Sequence, residues 1–223
     1  MLLLGKQIYG THIAALDGYL GKICDILFHE QDWGVSALVL DAGTWLHSRR
    51  VTLPPDLVKQ KDWLDHQVVV EGISRELVLQ SPTVEVHVPV GQQEKHEEAT
   101  IVDWSVYWTD TLYHPWQVTP DAHIRNTQEI TGYDIQCQDG AIGHVSDLVI
   151  DDEAWTVRFL ACDTRNWWPG KHVLVGVEHI DTIQGRQRIV NLSLVRERLE
   201  HSPEYNNWGH IGELDELLAG AAH

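Results

Sequence analysis

The sequence predicts a mainly β protein made of two tandem small antiparallel β-barrels, each followed by a short helix, joined by an acidic, aromatic-rich segment. Three observations carry this expectation. The chain repeats itself with a shift of 122 positions. Each copy reads as about six short strands separated by turn residues. Most of the net negative charge, and a run of five closely spaced aromatics, lie outside the copies.

The repeat is visible in unlike residues held in one spacing. Gly10 falls on Gly132, Asp17-Gly18 on Asp139-Gly140, Gly21 on Gly143, and Asp25 on Asp147. Trp33 falls on Trp155, Asp41 on Asp163 and Trp45 on Trp167. After a one-residue slip, Arg75-Glu76 matches Arg196-Glu197 and Ser81-Pro82 matches Ser202-Pro203. Scattered Leu and Val match by chance, but Gly, Asp and Trp together rarely do, so the two copies are homologous units.

Within the second copy, Tyr133 to Cys137 is a candidate strand. Asp139-Gly140 is a turn signal, because Gly reaches positive φ without steric cost. Ile142 to Ile150 and Trp155 to Asp163 form a long hairpin around the polar tip Asp151-Asp152-Glu153, and the alternation of Val157, Phe159 and Ala161 fits a strand. Pro169-Gly170 marks a further turn, His172 to Val175 and Arg188 to Leu192 are further strands, and Ser193 to Leu199 has helical character. The first copy repeats the plan with Tyr19 to Phe28, Trp33 to Leu40, Arg50 to Leu53 and Gln67 to Val70. Ser74 to Leu79 has helical spacing after a Ser N-cap. So many short strands in so few residues favour a barrel, since closure removes exposed edges.

This gives domains at 1–82 and 125–203, a joining segment at 83–124 and a tail with a short helix at 204–223. The joining segment is too long for an ordinary connection. It carries Trp104, Tyr107, Trp108, Tyr113 and Trp116, the first three at helical i, i+3, i+4 spacing. Of the formal net charge of −17, −10 lies in 83–124 and 204–223 together. The barrels themselves are close to neutral.

Composition also excludes functions. The acidity argues against a nucleic-acid backbone as partner and against charge-driven binding to an anionic membrane. No apolar run reaches transmembrane length, and the start lacks the apolar core of a signal peptide. Cys24, Cys137 and Cys162 are odd in number and lie in apolar stretches, as expected of reduced thiols in a cytoplasmic protein.

The stretches Thr131-Gly132-Tyr133, Asp139-Gly140, Gly143-His144-Val145 and Leu148 to Trp155 resemble the PRC-barrel domain family. So does Asp163-Thr164-Arg165-Asn166-Trp167-Trp168-Pro169-Gly170-Lys171. The first copy keeps Asp17-Gly18, Gly21, Asp25, Trp33 and Asp41 to Trp45 but has Leu46-His47-Ser48-Arg49 where the second continues Trp-Pro-Gly-Lys, so it is the divergent copy. The resemblance implies a small barrel like the cytoplasmic part of the photosynthetic reaction-centre H subunit, also found in a ribosome-maturation factor. It implies a scaffold that binds or organises other proteins rather than a catalyst.

Chemistry-bearing residues fit that expectation. The 14 His are scattered, without the spacing of a zinc site. The tip Asp151-Asp152-Glu153 offers carboxylates to a cation but lacks the spaced ligands and glycine of a calcium loop, and the carboxylate set is not repeated in His29, Glu30, Gln31 and Asp32 of the first copy. Asp17, Gly18, Gly21, Trp33, Asp41 and Trp45, with Asp139, Gly140, Gly143, Trp155, Asp163 and Trp167, recur in both copies and read as fold determinants. Trp168 and Lys171, with the five aromatics of the joining segment, are the candidate partner contacts, because Trp is enriched in binding hot spots. No nucleophile motif, phosphate loop or dinucleotide fingerprint is present. The sequence therefore points to a non-enzymatic protein-interaction or assembly module without cofactor or metal, with protein partners and room for a homodimer. Alternatives are an accessory subunit of a membrane electron-transfer complex, peripherally attached, and a metal-dependent enzyme.

Overall fold

In the computed structural model, residues 1–43, 50–80, 123–164 and 171–199 are described. The fold is mainly β, with a few short helices. The chain forms two compact units. One comprises Gln7–Asn126; the other comprises Met1–Lys6 with Thr127–His223. The repeat boundaries are thus offset from the structural ones, since residues 1–6 group with the second repeat.

The first-repeat unit holds a sheet of β2 (His12–Ala15), β3 (Gly18–His29), β4 (Val35–Asp41), β5 (Arg50–Leu53), β6 (Val58–Asp62) and β7 (Gln67–Val70), followed by α2 (Arg75–Gln80). Its order is β5-β4-β3-β2-β7-β6, and β8 (Ile124–Asn126) adds to β3. The second-repeat unit matches it with β9 (Asp134–Cys137), β10 (Gly140–Asp151), β11 (Thr156–Asp163), β12 (His172–Gly176), β13 (Ile180–Gln184), β14 (Ile189–Leu192) and α4 (Arg196–Leu199). Its order is β12-β11-β10-β9-β14-β13, with β1 (Leu2–Leu4) on β10. Short helical turns α1 (Gly5–Ile8) and α3 (Thr127–Ile130) follow β1 and β8.

Both sheets are mixed, where a wholly antiparallel arrangement was expected. β2 runs parallel to β7, and β9 to β14. The cause lies in one connection. β5 passes into β6 through a 3-10 turn at Pro55–Leu57, and β12 into β13 through Val177–His179. Such a turn bends the chain without reversing it, so the last hairpin returns with β7 or β14 pointing the same way as the first strand. No ladder joins β5 to β6 or β12 to β13 among the described residues, so hydrogen bonding does not close either sheet.

The recurrent residues explain the local geometry. Trp33 and Trp155 have φ of 62° and 49°, a left-handed conformation that tightens the tip of each long hairpin. Trp33 also stacks on Phe28, with ring centroids 5.5 Å apart. Gly143 lies at φ 156°, and a Cβ there would collide with the Asp163 backbone oxygen. A Cβ on Gly21 would come within 2.6 Å of the Asp41 backbone oxygen. Glycine is therefore required by a close backbone approach, at the same place in both units.

Trp45, Trp167, Trp168, the aromatics Trp104 to Trp116 and the tail 204–223 lie outside the described residues. Among the described residues, no helix is long and apolar enough to cross a membrane.

Candidate functional site

The recurrent carboxylates of Asp17, Asp25, Asp41, Asp139 and Asp147 accept hydrogen bonds from main-chain N–H groups. Asp17 accepts from Arg75 N at 2.8 Å and Asp139 from Arg196 N at 2.9 Å. Each therefore caps the closing helix of its own unit from a turn more than 50 residues earlier. Aspartates in turns more commonly bond their own local backbone. Asp41 does so, accepting from Gly43 N at 2.8 Å. The Arg196 backbone bond holds the Asp139 carboxyl below its usual range. Its anionic form is the better acceptor for a helix N-terminus.

Asp25 and Asp147 follow a bulge in the long strand of each unit. Their Oδ1 atoms accept from Ile26 N and Leu148 N, both at 2.8 Å. Asp147 is only 4 % exposed, and burial pushes its carboxyl from 3.8 up to about 6 despite several backbone donors. One of those donors is Lys6 N, 3.3 Å from Oδ2. This bond explains how β1 is seated. β9 covers β10 from Gly140 to His144, and β1 covers it from Val149 to Asp151. Asp147 lies in the gap between them and takes the N–H of the turn that leads away from β1.

The acidic tip has the same function in both units, which the sequence hid. Asp152 N donates to Met1 O at 3.0 Å, and Glu30 N donates to His123 O at 2.9 Å. The Met1 amino nitrogen lies 2.8 Å from Asp152 Oδ1 and 3.6 Å from Glu153 Oε1. In the other unit, Arg125 Nε donates to Glu30 Oε2 at 2.7 Å, and His123 Nδ1 lies 3.1 Å from Glu30 Oε1. The tip carboxylates and main-chain N–H groups thus hold the leading strand in each unit. Sequence alignment alone set Glu30 against Asp152 but gave no reason to look for Arg125 or Met1 as its partner.

An open groove of about 450 Å³ lies on the first-repeat unit, along the parallel pair β2 and β7. Tyr9, His12, Asp65 and His66 supply its polar lining, and Ala14 and Val69 its apolar part. His12 also meets Tyr19, with ring centroids 5.5 Å apart. At the 122-residue offset these positions are Thr131, Asp134, Gln187, Arg188, Gln136 and Asn191. The framework recurs while the lining does not, so this lining is particular to one unit. The sequence reading missed it, because nothing in strand periodicity brings residues 9–14 beside 65–69.

Of the expected contact residues, Lys171 is half-buried, and its backbone oxygen accepts from Thr164 N at 3.2 Å and Thr164 Oγ1 at 2.9 Å. None of the three cysteines forms a disulfide. Burial pushes Cys24 and Cys137 up to about 11 and raises Cys162 further, which leaves them protonated and poor nucleophiles near neutrality. Among the described residues no cluster of His, Cys, Asp and Glu could hold a metal ion. Neither a protein-family model nor a curated protein matches the chain.

Proposed function

We propose that the chain is a non-enzymatic protein-interaction or assembly module made of two PRC-barrel-like domains, acting in the cytoplasm. The observation that carries the reading is the use of its recurrent carboxylates. Asp17, Asp25, Asp41, Asp139 and Asp147 all accept from main-chain N–H groups. Residues that recur because they hold the backbone are fold determinants, and the barrel reading draws on their matching positions in both units. The near-continuous passage from β5 to β6 and from β12 to β13 also suits a rolled sheet.

Contact with a partner is assigned to the groove on β2 and β7 and to Trp168 with the aromatics of 83–124. An open groove with a polar lining and an apolar part suits a protein side chain better than a buried small molecule. The test is affinity capture from native extract with the intact chain, beside Val69→Glu and Trp168→Ala. The expectation is a reproducible partner set, depleted by at least one substitution at unchanged fold. Identical capture by all three chains would remove both surfaces from consideration, and turnover of a substrate by purified protein would overturn the reading as a whole.

A further inference from the structure

Each unit completes its sheet with a strand that the repeat assigns to the other copy. Leu2, Leu3 and Leu4 stand 122 positions before Ile124, Arg125 and Asn126. Leu2 to Leu4 pair with Asp151 to Val149, and Ile124 to Asn126 pair with His29 to Leu27. These registers are equivalent, residue for residue. Leu4 is fully buried and packs with Val149, Ala161 and Leu174. Ile124 packs with Leu27, Ala37 and Val39. The leading strands have therefore been exchanged between repeats of one chain, each passing to its new unit with no loop between: Lys6 is followed directly by Gln7, and Asn126 by Thr127.

We infer that β1 is an exchangeable strand, and that its second acceptor is β10 of another copy of this chain. Every copy carries both the strand and its seat. The contacts made in the exchanged dimer are those already made within one chain: the three register pairs, the buried Leu3 and Leu4 and the Asp147 bond to Lys6 N. Exchange between identical copies reproduces all of them, which makes it a low-cost route to a dimer. Two factors oppose it. A strand tethered within its own chain sees an effective concentration on the order of millimolar, and two chains of charge −17 repel. The exchanged dimer is accordingly favoured by high protein concentration and by salt, and it forms after β1 has been released rather than by simple collision.

Cysteine trapping tests this directly. Leu2 and Asp151 are register partners. Two full-length chains, Leu2→Cys and Asp151→Cys, each in a Cys24→Ala background, are mixed, unfolded, refolded together and oxidised. The expected product is a covalent dimer joining one chain of each kind, doubling the 25.4 kDa mass and rising with concentration and salt. The Leu2→Cys/Asp151→Cys double variant refolded dilute serves as reference and cross-links within one chain. If the reference closes and the mixture yields no mixed dimer at any concentration, β1 is not exchangeable. If the reference also fails to close, the seat itself is wrong. Either result overturns the inference without bearing on partner capture.

Discussion

Asp147→Asn should change the pH dependence of stability in a way that isolates one buried carboxyl. Burial raises Asp147 from 3.8 to about 6, so the folded state binds its proton more tightly than the unfolded state does. The linked stability is fully present below 3.8 and is lost as pH rises through about 6. A shift of about two units at 1.36 kcal/mol each amounts to a cost of about 3 kcal/mol at neutral pH. Asn cannot ionise, and it keeps an oxygen that accepts from Leu148 N or Lys6 N. The variant should therefore match the parent near pH 4 and gain about 3 kcal/mol on it by pH 7.5. Many other carboxylates titrate over that range, so the quantity to measure is the difference between the two proteins at each pH. Urea unfolding followed by pulsed labelling of Cys162, which is 1 % exposed in the same unit, reports the second-repeat unit directly. A difference that stays flat across the range would show that Asp147 is not raised, and the account of its burial would fail. A difference that falls with pH would mean that its anion is stabilised by the donors around it.

Leu4→Ala removes a buried side chain from the cluster with Val149, Ala161 and Leu174, and should cost about 2–4 kcal/mol. The loss should appear as faster labelling of Cys137 and Cys162 with Cys24 unchanged, although residue 4 precedes Cys24 in sequence. Gly143→Ala forces a Cβ against the Asp163 backbone oxygen at a positive φ. It should destabilise the same unit by about 3 kcal/mol, read as a lower urea midpoint. Arg125→Ala leaves Glu30 without its 2.7 Å guanidinium partner and should cost about 1–3 kcal/mol. Cys24 labelling should detect it, and Arg125→Lys should restore only part of it, since Lys lacks the planar fork.

The long hairpins were legible because they combine alternation with unlike markers. Trp155 to Asp163 was read as a strand and is β11 from Thr156; Gln67 to Val70 and Arg50 to Leu53 match β7 and β5 to the residue. β6 and β13 were not read, and their sequences explain why. Val58-Lys59-Gln60-Lys61-Asp62 and Ile180-Asp181-Thr182-Ile183-Gln184 are largely polar and exposed, so they show no buried face for periodicity to detect. Among the carboxylates, recurrence singled out Asp17 and Asp139, and each accepts a main-chain hydrogen bond. The donors they face, Arg75 N and Arg196 N, are more than 50 residues away, and local turn chemistry has no access to them.

The leading strands were invisible for a deeper reason. Leu2-Leu3-Leu4 is three residues long, and Ile124-Arg125-Asn126 shares with it only one apolar position. The equivalence of the two segments lies in their backbone registers and in the main-chain bonds at Asp152 and Glu30. Repeat analysis aligns a sequence with itself and so assigns each leading strand to the copy that follows it. Pairing assigns each to the other copy. A fragment cut at the repeat boundary, residues 1–82, would carry β1 away from β10 and leave β8 behind, stripping β3 of its partner at Leu27 to His29. Residues 7–126 instead retain β8 with β3, and β10 regains β1 only when 1–6 is supplied with 127–199. The unit that the sequence duplicates and the compact unit are therefore different segments of the chain, and the exchange of the two leading strands is what separates them.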